Sequence, residues 1–130
     1  MNHWLVKSDP DDYSAHDLER DGATTWDGVR NPVAQRHMRG IRAGDAVFVY
    51  HTGKEKAIVA QAEATSDGGD SADGLAAVGL RFLNWLDQPV TLKAVKEDPS
   101  FKDFALVRQG RLSVMPVTPD QWKRLLKLAN

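Results

Sequence analysis

Trp26-Asp27-Gly28-Val29-Arg30-Asn31-Pro32 is the stretch that says most about how this chain folds and what it does. It supplies an aromatic ring, a carboxylate, a guanidinium and an amide within six residues. Gly28 favours a turn, and Asn31 followed by Pro32 is typical of the start of a helix. An aromatic face beside an Arg and an Asn can stack on a flat ring and hydrogen-bond to its edge. The alternative is structural, with Trp26 in the core and Asn31 only a helix cap.

Length and composition indicate a single domain over residues 1–130. A chain of this size buries about two-thirds of the surface that it exposes when unfolded. The sequence has no Cys, which excludes disulfides, thiol nucleophiles and Cys-based zinc sites. It starts without the basic and apolar regions of a signal peptide, and no apolar segment approaches the roughly 20 residues of a membrane span. We therefore expect a soluble, cytoplasmic, monomeric protein that does not bind membranes.

Charge is unevenly distributed, although the net charge is only −1. Residues 1–27 carry seven acidic side chains against two basic ones, whereas residues 28–60 and 101–130 each carry six basic side chains against two acidic ones. The two basic stretches can converge on one face and meet a phosphate backbone, or they can be ordinary solvated surface. Because each excess is modest, we expect weak electrostatic attraction to nucleic acid, so that affinity has to come from a pocket.

Capping residues and apolar periodicity predict four main helices. They cover 15–20 after the N-cap Ser14, 32 to 38 or 39 after Asn31, 92–97 after Thr91, and a C-terminal helix after Thr118. In the last helix Gln121 completes a capping box, and the apolar stripe consists of Trp122, Leu125, Leu126 and Ala129. A further short element is expected at 102–107. The stripe places Trp122 in the core.

Alternating apolar residues predict five strands, at 3–7, 46–51, 57–64, 76–86 and 111–114. The second and third are expected to form a hairpin, Trp85 to lie in the core, and the polar segment 66–74 to be a flexible connection. No Gly-rich phosphate loop follows a strand, which argues against a doubly wound nucleotide-binding fold. The predicted class is α+β: a small mixed β-barrel of about five to six strands with flanking short helices.

Candidate catalytic groups are few. None of the four His residues has metal-ligand spacing to another, so we predict neither a metal nor a cofactor. Ser8, Asp9 and His51 could be combined into a hydrolytic triad, but Ser8 lacks the G-x-S-x-G elbow. Tyr50 and His51 end one strand, and Lys7, Ser8 and Asp9 end another. Each cluster is either an ordinary strand end or a pocket rim, and their shared position at element ends favours one site for a small molecule or a base.

Four motifs occur in order along the chain. They are Trp4-Leu5-Val6-Lys7-Ser8-Asp9-Pro10-Asp11, Thr25-Trp26-Asp27-Gly28-Val29-Arg30-Asn31, Gly44-Asp45 with Phe48-Val49-Tyr50-His51-Thr52-Gly53, and Arg111-Leu112-Ser113-Val114-Met115-Pro116-Val117-Thr118. With these motifs the sequence resembles the EVE domain family, a branch of the PUA-like superfamily that also includes YTH and ASCH domains. Each motif alone is weak, whereas the ordered set is highly specific. The resemblance implies a PUA-like twisted barrel with flanking helices.

The resemblance also implies a function without catalysis. YTH domains hold a methylated base in an aromatic cage, and EVE domains are thought to read modified bases in DNA or RNA. The expected partner is thus a methylated or hydroxymethylated base, in nucleic acid or as a nucleotide, in an aromatic-lined pocket. The pocket residues that the resemblance implies are Lys7, Ser8, Trp26, Arg30, Asn31, Tyr50, His51, Leu112 and Ser113.

The chain departs from the family pattern at three points. The connection at 66–76 is much shorter than the Pro- and Asp-rich loop typical of the family, Asp9 stands where Glu is commoner, and Gly110 replaces a frequent Ser. Two other functions stay open. One is an enzyme acting on a nucleotide or small ring with His51 as acid or base, and the other is a binder of a free small metabolite.

Overall fold

The computed structural model describes all 130 residues, which form seven strands and five α-helices. The strands are β1 His3–Ser8, β2 Ala23–Trp26, β3 Ala46–His51, β4 Ala57–Ala64, β5 Gly69–Asp70, β6 Ala76–Thr91 and β7 Val114–Val117. The helices are α1 Ala15–Asp21, α2 Pro32–Gly40, α3 Leu92–Glu97, α4 Ala105–Arg108 and α5 Pro119–Leu128, with a 3-10 turn at Pro99–Phe101. The predicted α+β class is confirmed, with seven strands instead of five to six.

The pairing of β1 with β3 brings two of the predicted polar clusters together. The strand order is β2-β6-β4-β3-β1-β7, with β5 attached to β6. β1 and β3 are parallel, and the connection between them carries α1, β2 and α2, as a crossover between parallel strands requires. Because the pair is in register to its end, Lys7 lies opposite Tyr50 and Ser8 opposite His51.

The helix starts are confirmed by their caps. Ser14 with Asp17, and Thr118 with Gln121, form complete capping boxes. Asn31 accepts hydrogen bonds from the backbone of Val33 and Ala34, at 2.9 and 3.0 Å. The longest of these helices, α5, has ten residues, and none of the helices has the length and apolar content that crossing a membrane requires.

Strand ends differ from the prediction where tertiary pairing decides them. The strand expected at 111–114 is wrong, because β7 covers Val114–Val117 and pairs with β1 alone. Pro116 is tolerated there since an end strand has a side without a ladder to interrupt. β2 has no counterpart among the predicted strands, and β6 runs to Thr91 instead of Leu86.

The segment 66–74 and Trp85 also differ from expectation. Within 66–74, Gly69–Asp70 forms β5 against the start of β6, and Asp70 pairs with Arg39 at 2.8 Å. Trp85 is half-buried: its Nε1 donates to Glu19 at 2.9 Å at the margin of the contact between α1 and β6. Trp122 is in the core as predicted, stacked on Phe48 with 3.7 Å between ring centroids.

A buried carboxylate ties the N-terminus to the start of β3. Asp45 is 3% exposed, and its two oxygens accept hydrogen bonds from the backbone N–H of Asn2, the indole N–H of Trp4 and the backbone N–H of Arg42, at 2.9–3.0 Å. Burial alone raises the pKa of this carboxyl, but the three hydrogen bonds outweigh it and hold the pKa below its usual range. The Gly44-Asp45 motif therefore has a structural role.

Candidate ligand-binding site

The first cavity lies between the end of β1, the loop that follows it, and β2. Its volume is about 410 Å³, within the range usual for small-molecule sites. The lining residues are Lys7, Ser8, Asp9, Asp12, Tyr13, Thr24, Thr25, Trp26 and Asp27. Of the nine pocket residues implied by the resemblance, three lie here: Lys7, Ser8 and Trp26.

Two aromatic rings meet at right angles in this cavity. Trp26 ends β2, and the half-buried ring of Tyr13 packs against it edge-on, with 6.0 Å between centroids and 83° between planes. Trp26 is 8% exposed, so most of its indole belongs to the core and only a margin borders the cavity. Its indole N–H has no hydrogen-bond partner in the protein and is not sealed from solvent. Trp26 therefore packs in the core and also borders the cavity.

The loop after β1 is held in shape by its own hydrogen bonds. The backbone N–H groups of Asp12 and Tyr13 both donate to the carbonyl of Asp9 at 2.9 Å. The Ser8 hydroxyl donates to the carbonyl of Tyr13, and the Tyr13 hydroxyl donates to Asp21 at 2.8 Å. Burial and the hydrogen bond to Asp21 raise the pKa of Tyr13, which keeps its hydroxyl protonated. Tyr13, which forms one wall of the first cavity, is thus held in place through both its backbone and its ring hydroxyl.

Negatively charged hydrogen-bond acceptors outnumber positively charged donors in the lining of the first cavity. Three carboxylates, Asp9, Asp12 and Asp27, line it together with one ammonium, that of Lys7. Burial lowers the pKa of Lys7. A ligand edge that carries N–H donors therefore fits this wall better than one with acceptors alone.

A second cavity of about 270 Å³ adjoins the first. It is lined by Asn31, Val33, Gln109, Gly110, Arg111 and Leu112, and includes no carboxylate. The ammonium of Lys7 donates to the Gly110 carbonyl at 2.9 Å, so one side chain joins the two cavities. Gly28, which follows the lining residue Asp27, has a φ of 75°, a conformation that favours glycine. The predicted site residues Asn31 and Leu112 lie in this second cavity.

Three other predicted residues surround Lys7 or lie outside both cavities. Tyr50 is buried beneath the ammonium of Lys7, which lies 5.4 Å from the ring centroid, and burial raises the pKa of Tyr50. Ser113 accepts a hydrogen bond from the Lys7 backbone N–H at 2.8 Å through its carbonyl. Arg30 is exposed and forms no ion pair. The nine residues thus do not form a single pocket.

His51 belongs to the fold instead of the pocket rim that its strand-end position suggested. Its side chain is buried, its Nε2 accepts from the backbone N–H of Ala15 at 3.0 Å, and its Nδ1 lies 2.7 Å from Glu55. Both ring nitrogens are therefore engaged by the protein. This geometry does not favour His51 as an acid or base, or as a direct ligand contact.

Sequence reasoning did not assign Asp12, Tyr13, Thr24 and Thr25 to the site. Recognising β2 would have found the two threonines, since Thr24-Thr25-Trp26 combines β-branched and aromatic residues typical of strands. Tyr13 directly precedes the predicted N-cap Ser14, and a residue at that position commonly contacts the structure beside a helix start. No group of three or more His, Cys, Asp or Glu side chains is arranged to hold a metal ion.

Comparison with known proteins identifies relatives over the whole chain. The EVE domain family model matches residues 2–128. The NMR structure of Rpa0253 from Rhodopseudomonas palustris is 38% identical, with a TM-score of 0.93 over 99% of this chain and 93% of that one. Thymocyte nuclear protein 1 from Homo sapiens is 26% identical over 165 aligned residues, covering 98% of this chain and 73% of the human protein. The alignment is longer than this chain, so the human protein carries insertions.

Two further structures are less than 25% identical to this chain, and their similarity shows only that the fold is shared. Human THYN1 protein, solved in complex with 5-methylcytosine-containing DNA, has a TM-score of 0.92 at 23% identity, over 100% of this chain and 98% of that one. The ASCH protein from Zymomonas mobilis has a TM-score of 0.65 at 16% identity, over 98% and 95%. These neighbours share the fold of this chain, in agreement with the fold expected from the motifs.

Proposed function

The chain belongs to the EVE domain family, and we propose that it binds a modified nucleobase in nucleic acid, without catalysis, in the first cavity. The observation that carries the proposal is the composition of that cavity. It combines two perpendicular aromatic rings, one of them an indole whose N–H has no partner in the protein, with three carboxylates in a volume suited to a flat ring. The human relative solved with 5-methylcytosine-containing DNA supports the same ligand class for this chain.

Acceptor-rich walls favour a base with an exocyclic amino group. Cytosine presents an N–H₂ donor at the position where thymine presents a carbonyl acceptor, and a carboxylate pairs with the donor. Asp27, directly after Trp26, and Asp12, directly before Tyr13, are the carboxylates nearest in sequence to the two rings. A methylated cytosine therefore fits this cavity better than thymine, although both carry the same methyl group.

Affinity measurements on free nucleosides test the proposal without any contribution from phosphates. Calorimetry compares 5-methyldeoxycytidine with deoxycytidine and thymidine. We expect an advantage of about fourfold over deoxycytidine, which corresponds to one buried methyl group, and of about tenfold or more over thymidine, from hydrogen bonds to charged acceptors. Equal affinity for all three nucleosides, or tighter binding of thymidine, would contradict the proposal.

A matched variant separates the cavity from the rest of the surface. Thr25 is exposed, lines the cavity and lies in β2. Thr25→Tyr keeps strand propensity and net charge while filling part of the space, so it should abolish nucleoside binding without unfolding the protein. Mass spectrometry of nucleosides retained from cellular DNA and RNA, by the parent and by Thr25→Tyr, then identifies the base and the polymer. A retained set that is the same for both proteins would reject the first cavity as the site.

Catalysis has no specific support in the structure. The acid or base that the sequence suggested, His51, has both ring nitrogens bonded within the protein. A general base needs to reach the proton that it removes. The enzyme alternative therefore loses His51, the acid or base on which it rested.

A further inference from the structure

We propose that the second cavity and the arginines around it bind the phosphodiester backbone next to the recognised base, a step that rests on the proposed function. The first cavity is poorly suited to a phosphate, because three of its four charged lining groups are carboxylates. The second cavity has Arg111 in its wall and no carboxylate. A nucleotide whose base enters the first cavity can therefore place its phosphate in the second.

The ion pairs and hydrogen bonds that the arginines make within the protein also point to the second cavity. Of the nine arginines, six are held by the protein's own carboxylates or backbone carbonyls: Arg20, Arg39, Arg42, Arg81, Arg108 and Arg124. The remaining three, Arg30, Arg36 and Arg111, are exposed and engage no protein acceptor. A guanidinium that the fold leaves unpaired keeps its full fork of donors for a phosphate.

All three unpaired arginines lie in the wall of the second cavity or close in sequence to its lining residues. Arg111 lines it, and Arg30 directly precedes its lining residue Asn31. Arg36 follows the lining residue Val33 by three positions on α2, a spacing that places both on one helix side. Residues 31 and 33 of the first basic stretch and 109–112 of the second thus meet in this wall, whereas Lys54 and Lys56 line a different depression.

Lys7 links the walls of the two cavities. It lines the first cavity, and its ammonium donates to Gly110, which lines the second. A base and its own phosphate are separated by a sugar, and the two cavities are separated by one side chain. A single extruded nucleotide can therefore occupy both, with its neighbours running along α2 past Arg36.

A lysine-rich depression on another part of the surface provides the matched control. It is lined by Lys54, Glu55, Lys56, Thr91, Leu92, Lys93, Lys96 and Glu97, and includes four ammonium groups with two carboxylates. Lys96→Gln removes one exposed positive charge there, as Arg111→Gln does at the second cavity. The two variants therefore change net charge equally, at two different places on the surface.

The test measures binding of a short single-stranded oligodeoxynucleotide with one 5-methylcytosine across a series of salt concentrations. For the parent we expect a shallow salt slope of about two or three phosphate contacts. Arg111→Gln should lower the slope by about one and the affinity by about three- to tenfold at low salt. Free 5-methyldeoxycytidine, measured in parallel, should not show this loss. Lys96→Gln should behave as the parent.

The two proposals fail in different ways. A slope that falls with Lys96→Gln and not with Arg111→Gln, or an affinity insensitive to salt, would overturn the phosphate site while leaving base binding intact. If the oligonucleotide binds with the expected arginine dependence but neither it nor the nucleoside distinguishes the methylated base, the base pocket fails and the phosphate site stands.

Discussion

The Nε2 atom of His51 accepts a hydrogen bond from the backbone N–H of Ala15 at 3.0 Å, across 36 residues of sequence. Ala15 begins α1, and the first N–H groups of a helix have no partner within it. The other ring nitrogen, Nδ1, lies 2.7 Å from Glu55, so the imidazole carries its proton on Nδ1 and accepts at Nε2. His51 thereby fastens α1, and the Tyr13 wall just before it, to the end of β3.

Replacing His51 by Asn should destabilise the fold. The Asn amide reaches only the position of Nδ1, so the buried N–H of Ala15 loses its acceptor, and we expect the free energy of unfolding to fall by about 1–3 kcal/mol. His51→Gln, whose amide reaches the position of Nε2, should lose markedly less. Urea denaturation of both variants makes the comparison. Equal losses, or a fully stable Asn variant, would contradict this role.

Helix caps, which depend on neighbouring residues, were predictable from the sequence, whereas strand bounds set by distant pairing partners were not. Asn31 and Thr118 cap the helices predicted for them, because a cap needs only the next three residues. β2 and β7 depend on distant partners in β6 and β1, and so their bounds were missed or displaced. Neither strand has a local signal strong enough to overcome that dependence.

The motif segments contribute residues to both cavities, but a motif does not state how deeply each side chain is buried or what it contacts. Lys7 lines the first cavity, whereas Tyr50, its partner across the ladder on the same face of the sheet, is buried beneath the Lys7 ammonium. His51 lies in one of the motifs, yet its side chain accepts a hydrogen bond from the first residue of α1. Whether the remaining implied residues contact a ligand stays a prediction.

Asp45 should make stability depend on acid pH. Its folded pKa is lowered, so its contribution is fully present above the unfolded value of about 3.9 and is lost as pH falls through the folded pKa. Asp45→Asn puts an amide N–H₂ against backbone and indole donors, and we expect a loss of about 1–3 kcal/mol near neutral pH. The difference between parent and variant in urea denaturation should shrink below about pH 4. A difference that stays constant down to pH 2 would show that the carboxylate charge is not involved.

Trp26→Phe should separate the ligand role of Trp26 from its packing role. Trp26→Ala removes a buried ring and costs about 3–5 kcal/mol of stability, which obscures any effect on binding. Trp26→Phe keeps an aromatic ring against Tyr13 but removes the free N–H, and we expect nucleoside affinity to weaken by about 0.5–1.5 kcal/mol.

The matched control is Trp122→Phe. Trp122 is equally buried but stacks on Phe48 from α5, and it lines neither cavity. Calorimetry should find the parent affinity in this variant, and thermal melting should report both losses of stability. If the two variants weaken nucleoside binding to the same degree, the effect is one of general stability and not of the cavity.

The indole N–H signals of the four tryptophans test most directly whether the first cavity holds the base. Isotope-labelled protein is titrated with 5-methyldeoxycytidine and followed by two-dimensional NMR. We predict a saturable shift of the Trp26 indole signal, together with the backbone amides of Tyr13 and Thr25. The indole signals of Trp4 and Trp85, which donate to Asp45 and Glu19, should stay in place. Saturable binding that leaves the Trp26 signal unmoved, or that shifts amides around Lys93 and Lys96 instead, would contradict a base-binding site in the first cavity.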